Sequence, residues 1–269
     1  MTEQIIPQTE QLYQVFSARR SGHHLAIQHL AACLEATGFT SVHVNDVDNN
    51  LSPSHPKRVN WTVAEVLAHG AFADTLIVNY EDYPFDGRSQ SPMYRGLAAS
   101  GIPSTDVIVV RDVYNLAASR VAKMAEAERE CQSYQFDVFS LIHGLDRWVE
   151  HANVALGPQQ EGVVPILYNH LVDRTDPARQ QKVAAQLGLV HSNNGLDQVP
   201  EFGGGSSVDG QTFDGRAQEM NVLQRWLDLP PDQLEWFLGA VDYGELDTLN
   251  RQLFGFGMAE VRQSLSADI

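Results

Sequence analysis

Two short segments combine arginine, hydroxyl and glycine in a pattern suited to holding an oxyanion. The first is Ser17-Ala18-Arg19-Arg20-Ser21-Gly22-His23-His24. Its guanidiniums supply charge and forked donors, and the Ser21 hydroxyl and the amides around Gly22 supply neutral ones. A helix starting just after it presents the positive end of its dipole, so the set fits phosphate or sulfate. It is not the triphosphate loop G-x-x-x-x-G-K-[ST], because the leading glycine and the magnesium hydroxyl of that pattern are missing. The second segment runs from Arg111 through Asp112, Val113, Tyr114 and Asn115 to Ser119 and Arg120. Arg111 follows an apolar strand at its carboxyl end, where open α/β sheets bind ligands, and Ser119 and Arg120 fall about two turns along the next helix. Taken alone, each segment also fits an ordinary role: surface arginines and helix histidines in the first, an Arg–Asp pair capping a helix in the second.

The elements that must position these residues follow from the apolar pattern. Residues 11–17 (QLYQVFS) read as a strand, the Ala18–Gly22 stretch as a turn, and Leu25, Ala26, Leu30 and Cys33 recur at helical spacing until Gly38. Residues 40–44 predict a second strand and 45–56 a polar loop, with a helix from about Thr62. Residues 75–78 (TLIV) predict a third strand, whose far end carries Asn79-Tyr80-Glu81-Asp82. Residues 107–110 (VIVV) predict a fourth and 163–167 a fifth. The stretch 116–156, an amphipathic run at 178–187 and the C-terminal third read as helix. Apolar strands separated by helices predict an α/β fold, a central parallel sheet flanked by helices, in a single domain over 1–269. A polar segment between Ser192 and Arg216 holds Gly203-Gly204-Gly205-Ser206-Ser207, whose amides could face an anion.

Together the two segments resemble the sulfotransferase superfamily that uses 3′-phosphoadenosine 5′-phosphosulfate (PAPS). In that family a loop of the form [KR]-S-G-T-T holds the 5′-phosphosulfate, and R-D/N-P-x-[ND]-x-x-x-S holds the 3′-phosphate. Arg20-Ser21-Gly22-His23-His24 matches the first, with arginine in place of lysine as in a bacterial R-S-G branch, and with both threonines replaced by histidine. Arg111 to Ser119 keeps the separation of arginine and serine, with Val113 where proline is usual. Tyr168 falls where the family often sets an aromatic beside the adenine, and 202–207 resembles its late glycine-rich loop. The resemblance implies a P-loop-like sulfotransferase fold, PAPS as donor and PAP as product. It implies cofactor contacts from Arg19, Arg20, Ser21, Gly22, His23, His24, Arg111, Ser119, Tyr168, Gly204, Gly205, Ser206 and Ser207. An imidazole at 23 or 24 can donate to an oxyanion as a threonine hydroxyl does, and adds charge when protonated.

Sulfonate transfer needs an in-line nucleophile, neutralisation of charge on the leaving phosphate, and a proton acceptor, so positioning and electrostatics dominate. The sulfonate carries less charge than a terminal phosphoryl group, and transfer without a metal is expected. Arg20 and His24 are candidates for the charge and donor roles. Glu81 is the first candidate for the base, at the end of the TLIV strand from which some family members present a catalytic histidine. His43, Asp46 and Asp48 are the alternatives, and Asp46 also fits an Asx turn. A PAP- or PAPS-binding protein without transfer, or a P-loop nucleotide phosphotransferase, are the competing readings.

Eighteen basic against 34 acidic side chains leave a net charge of −16, which argues against nucleic acid or an anionic membrane as partner and favours a small neutral or cationic acceptor. An amine or guanidinium compound fits, and natural-product tailoring, with a guanidinium alkaloid of the saxitoxin type as one candidate, is the expected setting. No run has the roughly 20 apolar residues of a membrane span, and the polar start lacks a signal pattern, so a cytoplasmic location is expected. Cys33 and Cys131 are expected to be ordinary thiols. His29, His69, His143 and His151 read as helix residues without a third ligand at metal-site spacing, and Trp148, Trp226 and Trp236 as packing. Trp61 is a candidate wall of the acceptor pocket.

Overall fold

The computed structural model describes residues 9–45, 47, 61–129, 138–173, 175–194, 196–199, 212–239 and 241–267, in backbone only at 124, 126–129, 138–143 and 218. Five strands, β1 (Gln11–Ser17), β2 (Ser41–Val44), β3 (Thr75–Glu81), β4 (Ser104–Val110) and β5 (Val163–Leu167), make one sheet in the order β2-β3-β1-β4-β5. Every pairing is parallel. The predicted fold class is therefore the observed one.

Both sheet faces are covered, and the period-two alternation of the strands sorts their side chains between two cores. On β1, Tyr13 and Val15 face one side, where they join Ile77, Val107 and Val109 under Ile27, Leu30 and Leu34 of α1 (His23–Thr37). Leu12 and Phe16 face the other, with Leu76, Val78, Ile108 and Val110. That larger core is closed by α3 (Pro92–Ala98), α4 (Val113–Arg129) and α5 (Val138–Leu156), and by α9 (Gly244–Phe254) from the C-terminal third. The helix expected from about Thr62 is α2 (Val63–Gly70). Thr62 caps it, accepting from the Glu65 amide while the Glu65 carboxylate accepts from the Thr62 amide.

Two strands are longer than their apolar runs. β3 continues through Asn79, Tyr80 and Glu81, because Asn79 donates to Asn45 (2.9 Å) and the Tyr80 hydroxyl donates to Gln14 (2.8 Å). β4 begins at Ser104, where the Asp106 carboxylate accepts from Tyr94 (3.0 Å) and Arg88 (2.9 Å). These polar residues find hydrogen-bond partners far away in sequence, so a local apolar pattern stops short of them.

β1 connects onward to β2 on one side of the sheet and β4 to β5 on the other. The change of direction falls between the neighbours β1 and β4, the place where open α/β sheets form a ligand crevice outside their carboxyl ends. Among the described residues no helix is long and apolar enough to cross a membrane.

Candidate functional site

At the carboxyl end of β1 the chain turns through Ala18–Gly22 into α1. The turn is closed by the Ser21 amide donating to the Ala18 carbonyl (3.0 Å), and it sets Arg20 (φ 74°) and Gly22 (φ 82°) in the left-handed region. For arginine that conformation costs roughly 1–2 kcal/mol, which the rest of the turn must hold in place. Gly22 is required twice over: beyond its φ, a Cβ there would meet the Tyr168 ring at 2.1 Å. The Leu25 and Ala26 amides donate to the Gly22 carbonyl (3.1 and 3.2 Å), and the start of α1 presents the positive end of the helix to the turn.

The end of β3 lies beside this turn, because Ser17 pairs in register with Glu81 and the Asp82 amide donates to the Ser17 carbonyl (2.8 Å). Arg19 Nε donates to Glu81 (3.0 Å), and His23 Nδ1 is 3.7 Å from the same carboxylate. Asp82 Oδ1 accepts from the Arg19 amide (2.7 Å) and from Arg120 (2.9 Å), while Arg120 Nε donates to the Arg19 carbonyl (3.1 Å). Both backbone groups of Arg19 are thus clamped by one ion pair. Arg120 is 1% exposed, and Gly144 of α5 makes room for it, since a Cβ there would lie 2.0 Å from its Cζ. Arg120, which falls about two turns along the helix after Arg111, is thus directed at the loop backbone and Asp82.

From the end of β4, Arg111 reaches across to the same loop, donating through one terminal nitrogen to the Arg20 carbonyl (3.2 Å) and through the other to the Val222 carbonyl. Its guanidinium carbon stands 5.0 Å over the Tyr168 ring, and Trp148 holds its carbonyl (2.6 Å). Asp112 turns the other way and caps α4, accepting from the Asn115 amide (2.9 Å) and from Asn169 (2.9 Å). Ser119 is buried on α4. Tyr168, first residue of α6 (Tyr168–Val172), is wedged between Gly22 and Arg111. Arg20, Glu81, His23, Arg111 and Tyr168 therefore share one crevice. Asp46, Asp48, Cys131 and the segment with Gly204, Gly205, Ser206 and Ser207 lie outside the described residues.

The electrostatics of the crevice are set by burial against arginine. Burial alone would raise the Glu81 carboxyl, but Arg19, followed by His23, His24 and Arg20, overcomes it and holds the group well below the usual carboxylate range. Burial lowers His24 from 6.5 to about 3, helped by His23, and lowers His43 to about 4. His23 is lowered as well, again chiefly by burial. The paired rings of His23 and His24, 3.9 Å apart, are therefore neutral near pH 7.

The residues that sequence reading missed are the clamp: Asp82 and Arg120 as a pair, and Gly144 behind them. Arg120 and Asp82 stand in motifs already picked out, but nothing local says that they meet. Trp61, half-buried before α2, has its ring 5.7 Å from His69.

No protein-family model matches the chain, and no curated protein matches it. Among solved structures it is similar to the sulfotransferase domain from the Synechococcus PCC 7002 olefin synthase, at 12% identity with a TM-score of 0.38, over 94% of this chain and 97% of that one.

Proposed function

We propose that this chain is a cytoplasmic, single-domain sulfotransferase that moves a sulfonate group from PAPS to a hydroxyl or nitrogen of a small polar acceptor and leaves PAP. The observation that carries the reading is the convergence of two oxyanion-type segments, Arg20–Gly22 and Arg111, at the β1/β4 crevice. Two donors there fit an incoming anion: the Ser21 hydroxyl and Arg111 Nε are buried and lack a hydrogen-bond partner among the described residues. Leaving such a group unmet costs about 1–3 kcal/mol, and an oxyanion removes that cost. Arg19, Arg20, Ser21, Gly22, His23 and His24 then hold the phosphosulfate end. Arg111 and Ser119 hold the 3′-phosphate and Tyr168 lies beside the nucleotide, and the resemblance adds Gly204, Gly205, Ser206 and Ser207 as further contacts. The bound donor supplies an electrophilic sulfur.

Glu81 accepts the acceptor's proton. As an ion pair with Arg19 it is too weak a base for this work, but a bound anion competes for Arg19. Once that guanidinium turns away, the largest of the influences that lower Glu81 is gone and its pKa rises. Coupling of this kind ties base strength to occupancy of the donor loop. The net charge of −16 favours a cationic acceptor, an amine or guanidinium compound from natural-product tailoring, weakly so because salt screens beyond about 8 Å. A second reading, a PAP-binding protein without transfer, is favoured by one fact: among the described base candidates Glu81 is held below the usual carboxylate range and His43 is lowered to about 4, so neither is a strong base as it stands. Incubation with PAPS and a panel of amines, guanidines and alcohols, with PAP release followed by mass spectrometry, separates the two. Acceptor-dependent release that falls at least about a hundredfold in Glu81→Gln, with PAP binding kept, supports transfer. Binding without release on any acceptor supports the second reading.

A further inference from the structure

On the face of the sheet covered by α1, away from the clamp, three metal-ligating side chains come together. His29 and Cys33 stand one turn apart on α1, both 0% exposed, with His29 Nε2 3.6 Å from Cys33 Sγ. His191 joins them from the segment after α7 (Pro177–Gln186), and one ligand atom from each lies within 4.8 Å of the others. The sequence reading treats His29 and Cys33 as ordinary helix residues; their i, i+4 spacing is half of a ligand set, and only the fold brings the third.

We propose that His29, Cys33 and His191 form a binding site for a zinc-like ion. Zinc binds sulfur at about 2.3 Å and imidazole nitrogen at about 2.0 Å, and at a tetrahedral angle those bonds set the S···N edge at about 3.5 Å. The 3.6 Å between His29 and Cys33 already has that length. Two imidazole nitrogens and a thiolate are borderline-soft donors that suit zinc and exclude magnesium or calcium. His191 Nδ1 is also buried without a hydrogen-bond partner among the described residues. Burial lowers His29 to about 4, so its imidazole is neutral and needs to lose no proton to bind. Burial raises the Cys33 thiol, opposed in part by the Ser192 amide directed at its sulfur, so Cys33 is a thiol that gives up its proton on binding.

The surroundings hold the three in place. The Val190 amide donates to the Thr37 hydroxyl (2.9 Å), which donates in turn to the Cys33 carbonyl (2.7 Å), so the segment bearing His191 is tied to the same turn of α1 that bears Cys33. Solvent supplies the fourth ligand beside the partly exposed His191. The ion fastens α1, which carries the oxyanion loop at its start, to the segment leading towards Gly203. The site is independent of the sulfotransferase reading.

The test is titration of the reduced, tag-free, metal-stripped chain with cobalt(II), then zinc(II). The wild type is expected to take up cobalt at a 1:1 ratio, with a sulfur-to-cobalt charge-transfer band and the intense visible bands of a four-coordinate site, both bleached by zinc. Cys33→Ser loses the charge-transfer band. His191→Ala, on a partly exposed segment where folding is not at stake, binds at least about tenfold more weakly and loses the rise in Tm that zinc gives the wild type. No cobalt uptake by the wild type, or an undiminished charge-transfer band in Cys33→Ser, overturns the proposal.

Discussion

Arg20 and Gly22 both adopt left-handed backbone, and only one of them is a glycine. Retaining arginine in that conformation spends stability on a guanidinium at the mouth of the loop, the kind of strain that functional sites hold. Gly22→Ala adds a second strained residue and drives a methyl into the Tyr168 ring, at 2.1 Å. The two costs, about 1 kcal/mol for the backbone and 1–3 kcal/mol for overpacking, predict a loss of about 2–4 kcal/mol in urea unfolding. A change under about 0.5 kcal/mol, the usual size for a neutral surface site, would contradict the geometry. At this scale the sequence was most informative: Arg20, Ser21, Gly22 and Arg111 were legible from residue type and spacing alone. The state of Glu81 was not, since its pairing with Arg19 depends on β3 running on to the level of Ser17.

The loop is held by elements as much as by its own residues. Asp82 at the end of β3 and Arg120 on α4 grip the amide and carbonyl of Arg19, and the α5 glycine, Gly144, makes room for the guanidinium. Replacing Gly144 by alanine gains about 1 kcal/mol of helix propensity, yet the pinned guanidinium cannot step aside, and overpacking of 1–3 kcal/mol wins. Gly144→Ala is therefore expected to be destabilising in chemical unfolding, and a stabilised variant would show that Arg120 is not fixed. Asp82→Ala takes the carboxylate of its ion pair from the buried Arg120 and is expected to cost about 3 kcal/mol. The double variant Asp82→Ala/Arg120→Met should recover part of that loss; full additivity of the two single changes would deny the clamp. The five strands were legible as apolar runs. The polar ends of β3 and β4 were not, because Asn79, Tyr80 and Asp106 hydrogen-bond to Asn45, Gln14, Tyr94 and Arg88 across the fold.

Over the whole molecule, buried neutral histidines set the response to acid. Burial lowers His24 from 6.5 to about 3, and His29, His43 and His151 to about 4. As pH falls through 6.5 the unfolded chain takes up protons that the folded chain refuses, so stability present above that value is lost towards about pH 4. Each such group contributes up to about 1.4 kcal/mol per pH unit within its window. Glu81, also lowered, adds a further loss below its ordinary 4.5. The urea midpoint is therefore expected to drop steeply between about pH 6.5 and 4.5, and by roughly one proton less in His24→Gln. A flat profile there would contradict the burial of these rings.

The central claim is that the β1/β4 crevice, with Arg20 on one wall and Arg111 on the other, binds a 3′,5′-bisphosphorylated adenosine. Calorimetric titration of the chain with PAP in magnesium-free buffer, on the wild type, Arg20→Ala and Arg111→Ala, tests it most directly. Micromolar binding by the wild type, weakened at least about tenfold by each substitution, is the predicted result, since each removes a charge-assisted contact. No binding by the wild type, or binding indifferent to both arginines, would contradict the account.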